Sequence, residues 1–247
     1  MANNLNKFKN AYENEFKFDD ENHSMLDWYS SEIISSVKKK NNISCLSLGI
    51  GHRTVSKKII EELNALSKYV IVEGSLDIIK RYKDEIEMKS YVEIIHCFFE
   101  KFHCNELFDF IEAGFILEHV DDPLLILRKF KRFLKSDGSM FIAVPNARSL
   151  HRLIGNKAGL LKNVYNLSEY DYQLGHKRYF DLNKITNLII NAGMKVKQCK
   201  GIFLKPLTTD QLKIINFSKE IYRALYTIAE DFPDISNSIF IEAELDA

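Results

Sequence analysis

The sequence lacks any excess of charge: 34 Lys and Arg balance 34 Asp and Glu over 247 residues. Such a chain presents no global field for nucleic acid or an acidic membrane surface. Its longest basic run, Lys38-Lys39-Lys40, closes a predicted helix, where cations suit the helix dipole and the solvent. Cysteine is scarce. Cys45, Cys97, Cys104 and Cys199 form no C-x-x-C pair, which favours core thiols in a reducing cytoplasm over disulfides or zinc. No apolar run is long enough to span a bilayer. Met1 to Asp20 is polar and has no apolar h-region, so the expectation is a cytoplasmic chain with no secretory leader and no membrane partner. Repeats and low-complexity linkers are absent as well. Trp occurs once while Lys, Asn, Ile and Phe are plentiful, a bias compatible with an AT-rich bacterial genome.

What is present is core-forming sequence. Apolar residues make up 46%, too many for disorder and enough for a sizeable interior. Strand-like runs alternate with amphipathic segments. Ile43 to Leu48 reads as a first strand and Thr54 to Leu66 as its helix. Tyr69 to Glu73 is a second strand, followed by a helix from about Leu76. Tyr91 to His96 is a third and Phe108 to Ala113 a fourth. Pro123 to Leu134 is a helix with Pro in its first turn. Ser136-Asp137-Gly138 turns into a fifth strand, Ser139 to Val144. The alternation predicts a parallel sheet wrapped by helices.

The pattern then loosens. An irregular segment, about 146–180, precedes a helix from Asp181 to Asn191 that Ala192-Gly193 stops. Met194 to Phe203 is a sixth strand, Thr208 to Glu230 is mainly helical, and Ser236 to Leu245 is the last strand. The predicted layout is a helical arm over 1–40 and a main domain over 41–247. Helical insertions fall at about 146–180 and 206–232, near the strand ends where such sheets bind ligands. The arm contains a predicted helix from Met25 to Lys38 and the aromatics Tyr12, Phe16, Phe18, Trp28 and Tyr29. Most of these are expected to pack on the sheet; their density also suggests a lid over the site.

The sharpest local signal is the turn Gly49-Ile50-Gly51 after the first strand. Glycines there let the chain bend and a ligand approach without an intervening Cβ. Thr54 stands where a nicotinamide site has its third glycine, and a phosphate-loop Gly-Lys-Ser/Thr is absent. Glu73 ends the second strand, where a carboxylate can accept both hydroxyls of a ribose, and Gly74-Ser75 opens the next helix. Cys97-Phe98-Phe99 after the third strand offers apolar faces to an adenine ring.

These features, with the run from Phe108 to Pro123 that includes Ala113-Gly114 and Leu117-Glu118-His119, resemble class I S-adenosylmethionine-dependent methyltransferases over roughly 43–146. Val144-Pro145-Asn146, Ser149-Leu150-His151-Arg152 and Gly175-His176-x-Arg178-Tyr179-Phe180 resemble a small-molecule subset, with ubiquinone-type and sugar O-methyltransferases nearest in pattern. The family pattern is acidic-x-Gly-x-Gly-x-Gly. Gly49 and Gly51 match it, whereas Ser47 stands at the acid and Arg53 at the last glycine. The resemblance implies a doubly wound, Rossmann-like α/β fold, a seven-stranded sheet with an antiparallel last strand. It also implies S-adenosylmethionine as cofactor, with S-adenosylhomocysteine as product.

Methyl transfer from a sulfonium needs mainly orientation and water exclusion, and an alcohol acceptor gains from a general base. His119, His151 and His176 are the candidates for that base, ahead of His23, His52, His96 and His103. Asn146, Arg152, Tyr172, Arg178 and Tyr179 are candidates for holding a small acceptor, sugar-like or anionic. The spacing of His, Asp and Glu along the chain suggests no metal site. Glu112-Ala113-Gly114-Phe115 occupies the place of the Asn-Pro-Pro-Tyr-like tetrapeptide of many amino-methylating enzymes, which favours oxygen over nitrogen. A sugar nucleotide, a capsule or antibiotic sugar, a phosphoryl-type group and a quinone precursor all stay open as acceptors. So does a cofactor-binding scaffold without methyl transfer. Oligomeric state is not read from the sequence.

Overall fold

The computed structural model describes residues 19–246. Seven strands form one sheet: β1 (Ile43–Leu48), β2 (Leu66–Glu73), β3 (Val92–His96), β4 (Phe108–Gly114), β5 (Leu134–Pro145), β6 (Met194–Ile202) and β7 (Ser238–Leu245). Their order is β3-β2-β1-β4-β5-β7-β6. β1 pairs in parallel with β2 and β4, and β7 runs antiparallel to both β5 and β6. The chain therefore reverses direction across the sheet at β1, and the loops after β1 and β4 open a crevice at their carboxyl ends.

Central strands are buried on both faces, so their sequences are apolar without alternation. On β5, Met140, Ile142 and Val144 join one core while Phe141 and Ala143 join the other. The first core lies under α4 (Pro123–Phe130) and α7 (Leu182–Asn191). The second lies under α1 (Asp19–Val37), α2 (Arg53–Glu62) and α3 (Leu76–Glu85). Helix starts follow the side chains able to cap them. Ser75, Asp122 and Asp181 each accept from a backbone N–H in the first turn of α3, α4 and α7. Among the described residues no helix is long and apolar enough to cross a membrane.

The structure moves several predicted boundaries. The arm helix begins at Asp19 rather than Met25. β5 starts at Leu134, because the Ser136-Asp137-Gly138 turn is absorbed as an irregular stretch of strand. The helix expected over 208–230 is two, α8 (Thr209–Ile215) and α9 (Lys219–Ala229). Asn216 takes a left-handed conformation between them and Ser218 caps the second. The segment after β5 contains α5 (Leu150–Lys157) and α6 (Glu169–Leu174), the latter opened by a capping box of Ser168 and Asp171.

Gly201 shows how tightly the far edge is closed. A Cβ there would sit 2.2 Å from the Ser236 hydroxyl and 2.3 Å from the Ala229 carbonyl oxygen. The carbonyl is fixed at the end of α9, so Gly201→Ala should destabilise the fold by about 1–3 kcal/mol, the usual cost of overpacking. Urea denaturation checks this; an unchanged midpoint would show that the end of α9 yields freely.

Candidate active site

Four separate segments meet at Gly49. Its φ of +88° favours glycine, and a Cβ would lie 3.2 Å from Ile116, 3.8 Å from Phe99 and 3.9 Å from a Glu73 carboxylate oxygen. Gly51, also left-handed, has nothing within 4 Å of that position. The turn is thus an open cradle of backbone, suited to a ligand that lies against it. Glu73 holds the cradle. One carboxylate oxygen accepts the Ile50 N–H at 3.0 Å and the other the Ser75 N–H at 2.7 Å. Burial raises its pKa, and these backbone N–H groups pull the other way. Two bonds leave acceptor capacity on both oxygens. Ser75 itself is buried and spent on capping α3, with Gly74 half-exposed before it. Cys97, Phe98 and Phe99 are half-buried at the end of β3, and Phe99 meets Phe130 edge to face.

The two departures from the glycine motif have plain local explanations. Ser47 is buried and shares a hydrogen bond of 2.8 Å with the Tyr69 hydroxyl. Arg53 turns outward from the start of α2 and pairs with Glu85 of α3.

From the cradle a cavity of about 500 Å³ runs beneath α1 to the segment after β5. Glu21, Asn22, Met25 and Leu26 of α1 form one wall. Trp28 and Tyr29 instead face the sheet: Trp28 meets Phe240 edge to face, and the Tyr29 hydroxyl donates to Glu112 and to the Phe141 carbonyl. Tyr12, Phe16 and Phe18, invoked for a lid, lie outside the described residues.

His119, His151 and His176 all line this cavity. Burial drives His119 down to about 3, helped by the neighbouring His176 charge and opposed by a hydrogen bond to the Gly175 backbone. Burial and the charges of Lys205 and Arg152 take His151 to about 3 as well, and its Nδ1 is buried with no partner. His176 is different. Its Nδ1 lies 3.0 Å from an Asp171 carboxylate oxygen, which also accepts the Tyr179 hydroxyl at 2.9 Å. Burial works against ionising Asp171, but bonds from His176 and Ser168 outweigh it and hold the carboxyl at about 2. Arg152 stacks on the Tyr179 ring at 4.2 Å and donates to the Val164 carbonyl.

Several predicted acceptor contacts fall elsewhere. Tyr172 is 64% exposed on the outer face of α6; Tyr170 of the same helix lines the cavity in its place. Arg178 donates to the Asp121 carbonyl and does not line the cavity. Asn146 does line it, but its amide is consumed by the carbonyls of Pro233, Asp234 and Ser236 and by the Arg148 N–H. Helical and loop geometry, invisible in the spacing, decided each case.

Spacing along the chain suggested no metal site, and folding gathers three groups that could serve as ligands. Donor atoms of Glu118, His119 and His176 lie within 4.8 Å of one another. Residues 119 and 176 come together only because the segment after β5 folds back over β4. Two imidazoles and a carboxylate suit a transition-metal cation. Both Glu118 oxygens are buried without hydrogen-bond partners, and burial raises the carboxyl to about 7.

Sequence reasoning missed Glu112, Asp171 and Lys205. Asp171 was legible as the third residue of a Ser-x-x-Asp helix start; the other two carried no local signal. Lys205 is buried, bonded to Glu21 and Thr209, and closes the cavity against α1. Glu112 is 6% exposed on β4 and accepts the Gly114 N–H at 2.8 Å. Gly114 lacks a Cβ for good reason, since one would fall 2.6 Å from the Tyr29 ring.

A sheet of this order, with β7 antiparallel, a glycine cradle after β1 and an acid ending β2, is the class I S-adenosylmethionine-dependent methyltransferase architecture. The chain belongs to the methyltransferase domain family, whose family model matches residues 24–198, and S-adenosylmethionine is that family's cofactor. Over 135 residues it is 28% identical to a ubiquinone biosynthesis O-methyltransferase of Parvibaculum lavamentivorans, covering 51% of this chain and 49% of the relative. A protein of the same name from Haemophilus ducreyi is 29% identical over 108 residues, 42% of this chain and 44% of the relative. The match thus spans about half the length of these curated relatives. Among solved structures, the plantazolicin methyltransferase BpumL in complex with a triazolic desmethylPZN analogue and S-adenosylhomocysteine superposes with TM-score 0.62 at 16% identity. That match covers 98% of this chain and 91% of BpumL. An S-adenosylmethionine-dependent methyltransferase from Mesorhizobium loti gives TM-score 0.60 at 13% identity, over 88% of this chain and 99% of its own. These two show the shared fold.

Burial lifts the Glu112 carboxyl from 4.5 to about 7, against bonds from Gly114, Ser47 and Tyr29 that favour ionisation. A carboxyl raised on folding contributes stability that is fully present below about pH 4.5 and lost as pH rises through about 7. Wild type should therefore lose ~3 kcal/mol relative to Glu112→Gln between those limits. Urea titrations of both proteins at pH 5 and pH 8 measure most of that difference; a gap independent of pH would mean that Glu112 ionises normally.

Proposed function

We propose that the protein transfers a methyl group from S-adenosylmethionine to a hydroxyl oxygen of a small polar acceptor, with His176 as general base. The observation that carries this reading is one continuous cavity whose ends are the Gly49–Gly51 cradle and the Asp171–His176 pair. The O-methyltransferase names of the curated relatives support oxygen as the accepting atom.

At the cofactor end, Glu73 accepts the ribose hydroxyls, and Gly49, Ile50 and Gly51 lie along the methionine portion. Cys97, Phe98 and Phe99 face the adenine; Gly74, Ser75, Ala113 and Gly114 complete the surrounding backbone. S-adenosylmethionine brings a methyl group already activated by the sulfonium charge. The protein's task is then to align an oxygen and remove its proton. Asp171 stays ionised and accepts from His176 Nδ1, which fixes the tautomer and leaves Nε2 free to take the acceptor's proton. Neutral His119 stands beside it, with ring centroids 4.8 Å apart, and keeps the neighbourhood receptive to a proton rather than repelling it. Arg152 and Tyr179 hold Asp171 in place, so they act as positioning residues.

A hydroxylated acceptor suits this wall better than a strongly anionic one. Arg152 is engaged by Tyr179 and backbone carbonyls, Lys205 is matched by Glu21, and Arg178 lies outside. The second reading, a cofactor-binding scaffold, predicts binding without turnover.

Two outcomes are expected. Glu73→Ala should weaken S-adenosylhomocysteine binding by ~1.5–3 kcal/mol in calorimetric titration, the range for hydrogen bonds to a charged group. Unchanged affinity in a folded variant would remove Glu73 from the ribose site. With labelled S-adenosylmethionine and a panel of hydroxylated small molecules, His176→Ala should slow single-turnover methylation by roughly 10²–10⁴ while S-adenosylhomocysteine still binds. A full rate in that variant excludes His176 as the base. Cofactor binding with no methylation of any panel member would favour the scaffold.

A further inference from the structure

Glu112 has no part in the reading above, yet it is a carboxylate buried at the last register pair between β1 and β4, next to the Gly49 turn. Ser47 of β1 and Glu112 of β4 are direct register partners. Each is followed two residues later by a glycine, Gly49 and Gly114, and both glycines line the cavity. Side chains at paired positions of parallel strands point to the same face of the sheet. The face here is that of α1, where Cys45 and Phe110, two residues earlier on each strand, share one core.

The cofactor's amino-acid end carries an ammonium that must leave water, and a buried cation needs an acceptor of opposite charge. Five carboxylates line the cavity among the described residues: Glu21, Glu112, Glu118, Asp171 and Asp210. Glu21 is bonded to Lys205 and Thr209, Asp171 to His176 and Tyr179, and Glu118 stands with the two imidazoles. Asp210 lies in the first turn of α8, on a covering segment and not on a strand. Glu112 alone of the five belongs to a strand beside the Gly49 cradle. Resting on the cofactor reading above, we infer that Glu112 binds the ammonium of the cofactor's methionine portion, so that the carboxylate Ser47 does not provide on β1 is supplied across the sheet by β4. Gly114 N–H and the Tyr29 hydroxyl orient the carboxylate for that contact. An arriving ammonium also favours the ionised form of a carboxylate that burial otherwise opposes.

The test compares ligands as well as proteins. Calorimetric titrations would use S-adenosylhomocysteine, its deaminated analogue that keeps the carboxylate, and 5′-methylthioadenosine, which lacks the whole amino-acid end. In wild type, removing the amine should weaken binding roughly 10- to 100-fold, as expected for a charge-assisted pair. Glu112→Gln should weaken S-adenosylhomocysteine by a similar factor, leave methylthioadenosine within about twofold, and bring the amine-containing and deaminated ligands to nearly equal affinity. A purely structural Glu112, holding Tyr29 and Gly114, would weaken all three ligands alike, and that result overturns the inference. Equal wild-type affinity for the amine-containing and deaminated ligands overturns it too, without any variant. Failure of wild type to bind even methylthioadenosine would instead count against the cofactor reading itself.

Discussion

Glu73 ties two strand ends together. By accepting Ile50 N–H with one oxygen and Ser75 N–H with the other, it fixes the turn after β1 against the turn after β2. Both turns start helices, and both leave backbone donors that must find acceptors. A single buried carboxylate satisfies one from each. The glycine cradle can stay open to a ligand because its shape is held from below. The rest of the crevice is built outward from that clamp: Phe99 and Ile116 close on Gly49 from β3 and β4, and α1 covers the cavity from above.

At the other end of the cavity the polar groups satisfy one another. Arg152, Tyr179, Asp171 and His176 form a chain of contacts, and Asn146 spends its amide on the approach to β7. A network whose members are all partnered stiffens its surroundings, whereas one left half-paired is costly. The exceptions are both Glu118 oxygens, next to two imidazoles, together with His151 Nδ1 and the Ser149 hydroxyl, all buried without partners. Strain of that kind collects where chemistry is done rather than where a loop is merely anchored.

Proteins of one fold place their specificity in the segments that cover the crevice of the sheet rather than in the sheet itself. Here those segments are α1, the stretch with α5 and α6, and the start of α8.

The glycine turn after β1 and the acid that ends β2 were legible in the sequence because their constraint is local. A strand, a Gly-x-Gly turn and a helix within a dozen residues, then an acid at the next strand's end, are constraints of backbone geometry that leave fixed spacing. The seven strands and the antiparallel last one followed from the alternating pattern and the family resemblance, while the order of the strands and the break at Asn216 came only with the structure. The acceptor half was legible only as a list of residue types. His119, His151, His176, Arg152 and Tyr179 were recognisable as capable groups, but whether Arg178 or Tyr172 joined them depended on which way a helix or loop turned. The pairing of Ser47 with Glu112, and the gathering of Glu118 with His176 some sixty residues on, were decided by the sheet register and by the fold-back after β5. Sequence carries short-range geometry directly; contacts between distant segments exist only once the core has fixed which faces meet.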